Sequence, residues 1–189
     1  MRVIKIFIAS LIFFSSCSIE KQPFEEIKLA FLNNEDQLID FNNGNGNVFI
    51  FLTPDCPIGQ KYSFVIEKLY QKYQGDGLSF YGIFPSNLGE KKISQTYAED
   101  FDLSFPILKD PEQHLQRYFG ATISPEVFLT DATGKVYYQG QIDNWFFDLG
   151  KKRQIVTEDY LDTALKAYTT QSDIKTKRTK AIGCYLPKL

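Results

Sequence analysis

Residues 48–52 read VFIFL, an unbroken apolar run of β-favouring residues, and together with the segment after it this run restricts the architecture sharply. Such a run is expected of a strand buried on both faces. From Gly59 the period changes: Tyr62, Val65, Ile66, Leu69, Tyr70 and Tyr73 recur at helical spacing on one face. Gly75 and Gly77 close that helix, and Leu78–Phe84 (LSFYGIF) reads as a second buried strand. Strand, helix and strand in this order form a βαβ unit, so the two strands should run parallel.

The rest of the chain extends the same plan. NNGNGN at 42–47 is a turn by composition, and FEEIKLAFL with QLIDF before it suggests two short strands or a hairpin. Glu90 to Phe101 reads as a helix, Phe105–Leu108 as a short extended piece, and Pro111 to Phe119 as a helical turn or two. Ser124-Pro125-Glu126 leads into Val127–Thr130. Asp131-Ala132-Thr133-Gly134 then turns the chain into Lys135–Gln139, a β-hairpin by spacing and turn chemistry. Thr157 is expected to cap a last helix whose apolar face is Tyr160, Leu161, Ala164, Leu165 and Tyr168. The predicted class is α/β, a central mixed sheet flanked by helices.

The N-terminus carries a different kind of signal. Arg2 and Lys5 precede an apolar stretch, Ile6 to Phe14, too short to span a bilayer comfortably, which marks residues 1–16 as a signal peptide. Ser15-Ser16-Cys17 resembles the lipidation box of bacterial lipoproteins, with Phe14 where that pattern usually has Leu. That resemblance implies a lipid on Cys17, a tether over 17–23 and a membrane-anchored protein of the bacterial cell envelope facing the periplasm. The alternative is an ordinary cleaved signal peptide with an incidental cysteine. One domain, 24–170, and a tail, 171–189, account for the remainder.

Composition excludes some partners. The 21 Lys and Arg face 23 Asp and Glu, and no basic stripe runs along a helix, so nucleic acid is not expected. KTKRTK at 175–180 reads as a solvated tail. The three cysteines are more informative. With Cys17 taken by lipid, Cys56 and Cys184 remain, and outside the cytoplasm free thiols tend to be oxidised or metal-bound.

The element order, with a cysteine at the first strand-to-helix junction and a proline before the hairpin, resembles the thioredoxin fold. FLTPDCP, LSFYGIF and ISPEVFLTDATGKVYYQGQID resemble in particular the redoxin group, the alkyl hydroperoxide reductase/thiol-specific antioxidant (AhpC/TSA) family. The likeness implies that Cys56 is a reactive thiol at a helix N-terminus, where unpaired N–H groups and the helix dipole favour thiolate. Pro57 in the first turn would cost that helix no hydrogen bond. The likeness also implies that Pro125 is cis, with Ser124 presenting its backbone to an incoming extended peptide. Thr53 stands three residues before Cys56, as the peroxidase form of the family has it. The departures are specific: the local resolving position holds Gly59, Phe49 replaces a motif proline, and Pro125-Glu126 stand where an arginine is expected, leaving Arg117 as the nearby candidate.

Cys184 lies in the modestly apolar tip AIGCYL. Three roles stay open for it: resolving an oxidised Cys56, sharing a soft metal such as Cu(I) with Cys56, or stapling the tail. The lone histidine, His114, would be a third copper ligand but suits a helix surface. Asp55, Asp110 and Asp143 show no pairing at motif spacing, and Trp145-Phe146-Phe147 is an apolar cluster suited to the core. The expectation is thiol–disulfide or thiol–peroxide chemistry on a peroxide or a protein thiol or disulfide. Cys56, Cys184 and Thr53 would be catalytic, Pro125 and Ser124 shaping, with no cofactor and no resident metal. The alternative is a non-catalytic binding module, for copper or as a chaperone.

Overall fold

In the computed structural model, residues 24, 27, 41, 44–85 and 91–188 are described, with 91–94 as backbone only. The expected signal peptide, Cys17 and the tether lie outside these residues.

Five strands form the central sheet in the order β3-β2-β1-β5-β6. They are β1 (Gly46–Phe51), β2 (Leu78–Phe84), β3 (Ile107–Lys109), β5 (Glu126–Thr130) and β6 (Val136–Gly140). β1 pairs parallel to β2, as the βαβ pattern required, and β3 adds a further parallel strand beside β2. β5 runs antiparallel to β1 and to β6, so the sheet is mixed. Helices α1 (Pro57–Tyr73), α2 (Lys91–Asp100), α3 (His114–Phe119) and α4 (Tyr160–Thr169) accompany it.

Alternation along the strands divides the core in two. Val48, Ile50 and Leu52 face the side covered by α1 and α4, where Tyr62, Ile66, Leu69, Leu161 and Leu165 pack. Phe49 and Phe51 face the other side, with Phe119, Phe128, Leu115 and Leu186. Phe24 and Ile27, from the stretch expected to be extended, are helical and buried on this second side. Every residue of β1 is buried, which is why its sequence carries no polar alternation.

Several boundaries differ from expectation for identifiable reasons. β1 begins at Gly46, inside the predicted turn, because the Asn47 side-chain amide donates to Phe41 O at 2.9 Å and can be buried. Thr157 does not cap α4. Its N–H, with that of Glu158, is taken by Asn144 Oδ1, and the helix starts later, after Asp159. α3 is capped from a distance, since the buried Asp110 carboxylate accepts from His114 N at 2.7 Å and Gln116 N at 2.9 Å. Of the Trp145–Phe147 cluster, Phe146 enters the core, Trp145 is partly covered and Phe147 is exposed. Phe146 opens a small unpredicted hairpin, β7 (Phe146–Asp148) with β8 (Lys151–Lys152).

The largest difference is the tail. Lys175, Lys177, Arg178 and Lys180 do expose their side chains, as a solvated run should. Their backbone, however, is fixed to the edge of β6: Gln139 N donates to Lys177 O at 3.0 Å, and Thr179 N donates to Gln139 O at 2.9 Å. The chain then adds a strand, β9 (Cys184–Tyr185), antiparallel to β4 (Ile123–Ser124). Among the described residues, no helix is long and apolar enough to cross a membrane.

Candidate active site

The site forms where three separate pieces of backbone meet. The first is the end of β1 and the start of α1. Cys56 is the N-cap of α1, in extended backbone, with Pro57 next in the chain, and its Sγ accepts from Gly59 N at 3.4 Å. An N-cap ordinarily uses an oxygen to satisfy one of the first free N–H groups; here sulfur occupies that place. Gly59, at the position where a local second cysteine would stand, thus contributes its backbone donor. A Cβ there would meet only ordinary contacts, the nearest at 3.5 Å.

The second piece is the loop ahead of β5. The Ser124–Pro125 peptide bond is cis. Ser124 is fully buried and works from both ends: its Oγ accepts from Thr53 N at 2.9 Å, and its carbonyl O lies 3.1 Å from Cys56 Sγ. Thr53 serves through its backbone, since its carbonyl also accepts from Cys56 N at 3.2 Å. Glu126, which sequence reasoning passed over, organises this loop. Its buried carboxylate accepts from Thr122 N at 3.0 Å, Ile123 N at 3.4 Å and Gln139 Nε2 at 3.0 Å. The signal was a carboxylate opening the otherwise apolar run PEVFL.

The third piece is the tail. Ser124 pairs with Cys184 in the β4–β9 register, and this brings Cys184 Sγ to 2.7 Å from Cys56 Sγ. Both cysteines are in the free thiol form. A disulfide, with S–S about 2.05 Å, needs only a small further approach. Two glycines make the placement possible. A Cβ on Gly183 would overlap Ser124 O, and one on Gly140, whose φ is +137°, would overlap Thr179 O. Thr179 Oγ1 accepts from Gln141 N and bonds Tyr138 Oη, both at 2.8 Å, and Leu186 N donates to Thr122 O at 2.9 Å.

Electrostatics act strongly on the tail sulfur. Burial first, then the hydrogen bond and charge of Cys56, then Asp55, push the Cys184 thiol up to about 12, so it holds its proton at neutral pH. Tyr97, whose hydroxyl lies 3.1 Å from Ser63 Oγ, is likewise pushed to about 12, chiefly by burial, and remains a neutral wall of the site. Tyr62 donates to Asp143 Oδ1, tying α1 to the loop after β6; burial raises the Asp143 carboxyl.

Other expected participants stand apart. Arg117 is exposed in the last turn of α3, and the ring of His114 at its first residue bonds Glu112 Oε2 at 2.9 Å. Among the described residues, no group of three or more His, Cys, Asp and Glu converges as ligands of a metal would.

Comparison with known proteins places this geometry in a family. The thiol-disulfide oxidoreductase ResA of Geobacillus thermodenitrificans is 31% identical over 103 residues, 54% of this chain and 57% of that protein. The chain thus spans under two thirds of the length of the curated relatives it matches. A hypothetical protein of Sinorhizobium meliloti superposes with a TM-score of 0.72 at 24% identity, over 82% of this chain and 88% of that one. A secreted Mycobacterium tuberculosis disulfide oxidoreductase, homologous to E. coli DsbE, gives 0.56 at 16% identity, over 76% and 98%. The fold is therefore thioredoxin-like, as the motifs implied. The AhpC/TSA family model matches residues 21–139, more than half of the chain, and the protein belongs to that family.

Proposed function

We propose that the protein is a thiol-based oxidoreductase of the thiol–disulfide type, with Cys56 and Cys184 as its redox pair. One observation carries the reading: two thiols 128 positions apart in sequence meet at 2.7 Å on the N-terminus of α1. Closing the pair to a disulfide releases two protons and two electrons, which a partner disulfide takes up to become a dithiol. The reverse reaction oxidises a partner dithiol and returns Cys56 and Cys184 to thiols. In the closing step Cys56, whose sulfur sits at the start of α1 with Gly59 N–H donating to it, attacks Cys184 in its mixed disulfide with the partner. A hydroperoxide would enter the same cycle by converting Cys56 to a sulfenic acid, with which Cys184 condenses, releasing water.

The family, the relatedness to ResA and the local geometry all support this reading over a copper-binding module. Its partners are protein thiols or disulfides, Thr53 and Ser124 positioning the pair through their backbone. The N-terminal signal supports placement at the cell envelope through a lipid on Cys17; Cys17→Ala should then release the protein from the membrane fraction.

The test is a redox titration in glutathione buffers with mass mapping. The expected result is a single two-electron transition between dithiol and a Cys56–Cys184 bond, with insulin-disulfide reduction or oxidation of a reduced test protein lost in Cys56→Ser. A bond that never forms, or activity unchanged in that variant, overturns the reading.

A further inference from the structure

Resting on that reading, we infer that the oxidised protein is opened by its partner at the tail sulfur, so that the mixed disulfide forms on Cys184 and Cys56 is the leaving group. The exchange position is then the tail cysteine rather than the helix-cap cysteine that the sequence marks as the reactive one.

Access distinguishes the two sulfurs first. Thiol–disulfide exchange requires the attacking sulfur to approach along the extension of the S–S axis, behind the sulfur it strikes. Cys56 is 1% exposed and part of the hydrophobic core beneath α1. Its surroundings are filled by Gly59 N, Ser124 O and Cys184. Cys56 therefore offers an incoming thiolate almost no surface. Cys184 is partly exposed, on a two-residue strand that ends in a tyrosine 82% exposed. Of the two sulfurs, Cys184 is therefore the one on a residue with surface to offer.

Leaving-group strength acts in the same direction. A partner thiolate striking Cys184 expels the Cys56 sulfur onto the start of α1, where Gly59 N–H already donates to it. Striking Cys56 would expel Cys184, whose thiol is pushed up to about 12 and which leaves slowly as an anion. Access and leaving group thus select the same sulfur.

Atoms and electrons balance at each step. The partner thiolate attacks Cys184 Sγ; a partner–Cys184 bond forms, the Cys184–Cys56 bond breaks, and its electron pair stays on Cys56. A second thiolate of the same partner attacks its own sulfur in the mixed disulfide. The partner leaves as a disulfide and Cys184 departs as thiolate, taking a proton from solvent. The partner loses two electrons and the cysteine pair gains them. The register supports docking without unfolding, because β9 holds Cys184 through backbone pairing with β4 while its sulfur is substituted.

The experiment uses the oxidised wild-type protein, with the Cys56–Cys184 bond first verified by non-reducing mass mapping. Glutathione is added at rising concentration until an adduct accumulates. Exchange is stopped with acid within seconds, and peptides are mapped at low pH. The expected result is glutathione on the Cys184 peptide at least tenfold over the Cys56 peptide. Equal labelling, or glutathione mainly on Cys56, overturns the inference while leaving the redox pair intact. A missing bond at the first step overturns the functional reading itself, and this inference with it, before glutathione is added.

Discussion

The two segments that carry sulfur reach one point by opposite means. Cys56 is delivered by the core: β1 is buried along its whole length and α1 packs Tyr62, Ile66 and Leu69 against it. Cys184 is delivered by a strap with exposed lysines, held through backbone hydrogen bonds and two close approaches that only glycine permits. Apolar area anchors the first; the second buries only Ile174, Ala181 and Leu186 and adds hydrogen-bond geometry and the absence of two Cβ atoms. The proposed redox pair thus joins a sulfur seated in the core to one seated on a strap at the edge of the sheet.

That contrast can be broken from either side. The largest effect is expected on the core side: Ile66→Ala, at a position with no solvent exposure, should cost about 2–5 kcal/mol of global stability in chemical denaturation. Gly140→Val should cost about 1–3 kcal/mol, because the new side chain would overlap Thr179 in a left-handed backbone. Its main effect should be local: trypsin should cut at Lys177 or Arg178 faster, and the Cys56–Cys184 bond should form at least tenfold more slowly, while circular dichroism is unchanged. An unaltered rate of bond formation would show that the strap does not depend on this close approach.

Smaller still, Thr179→Ala removes the hydroxyl that accepts from Gln141 N and bonds Tyr138. It should lower stability by about 1 kcal/mol in the reduced protein, and less once the disulfide replaces that restraint. The smallest effect is a pH dependence. Because the docked state raises the Cys184 thiol from 9.0 to about 12, it binds the proton more tightly than the released tail does. The stabilisation is full below pH about 9 and is lost as pH rises towards about 12. Thermal melts of reduced protein across that window should therefore fall more steeply for wild type than for Cys184→Ser, in which no thiol titrates at that position. Parallel curves would show that Cys184 ionisation does not contribute to docking.

Much of this could be read in the sequence wherever burial dictates pattern. The apolar run 48–52, the helical period from Tyr62 to Tyr73 and the Asp131–Gly134 turn each express a local rule, and each element lies where those rules put it. The junction position of Cys56 followed from the same pattern, whereas the cis form of Pro125 was legible only through the family resemblance. The strap was not legible, because its charged side chains are those of a solvated run and most of its attachment is through backbone atoms, which carry no sequence signature. Gly140 and Gly183 are silent in a single chain as well: each matters for what another segment places against it.

The sequence alone determined the sheet, the helices on it and the place of Cys56, since these arise from periodicity, turn chemistry and the apolar faces of neighbouring elements. Only the tertiary structure decided that Cys184 lies against it, that Ser124 touches both, that the two sulfurs differ in exposure and that burial raises the Cys184 thiol. Those properties depend on contacts between residues about 70 to 130 positions apart, whose register is set by folding and not by local composition.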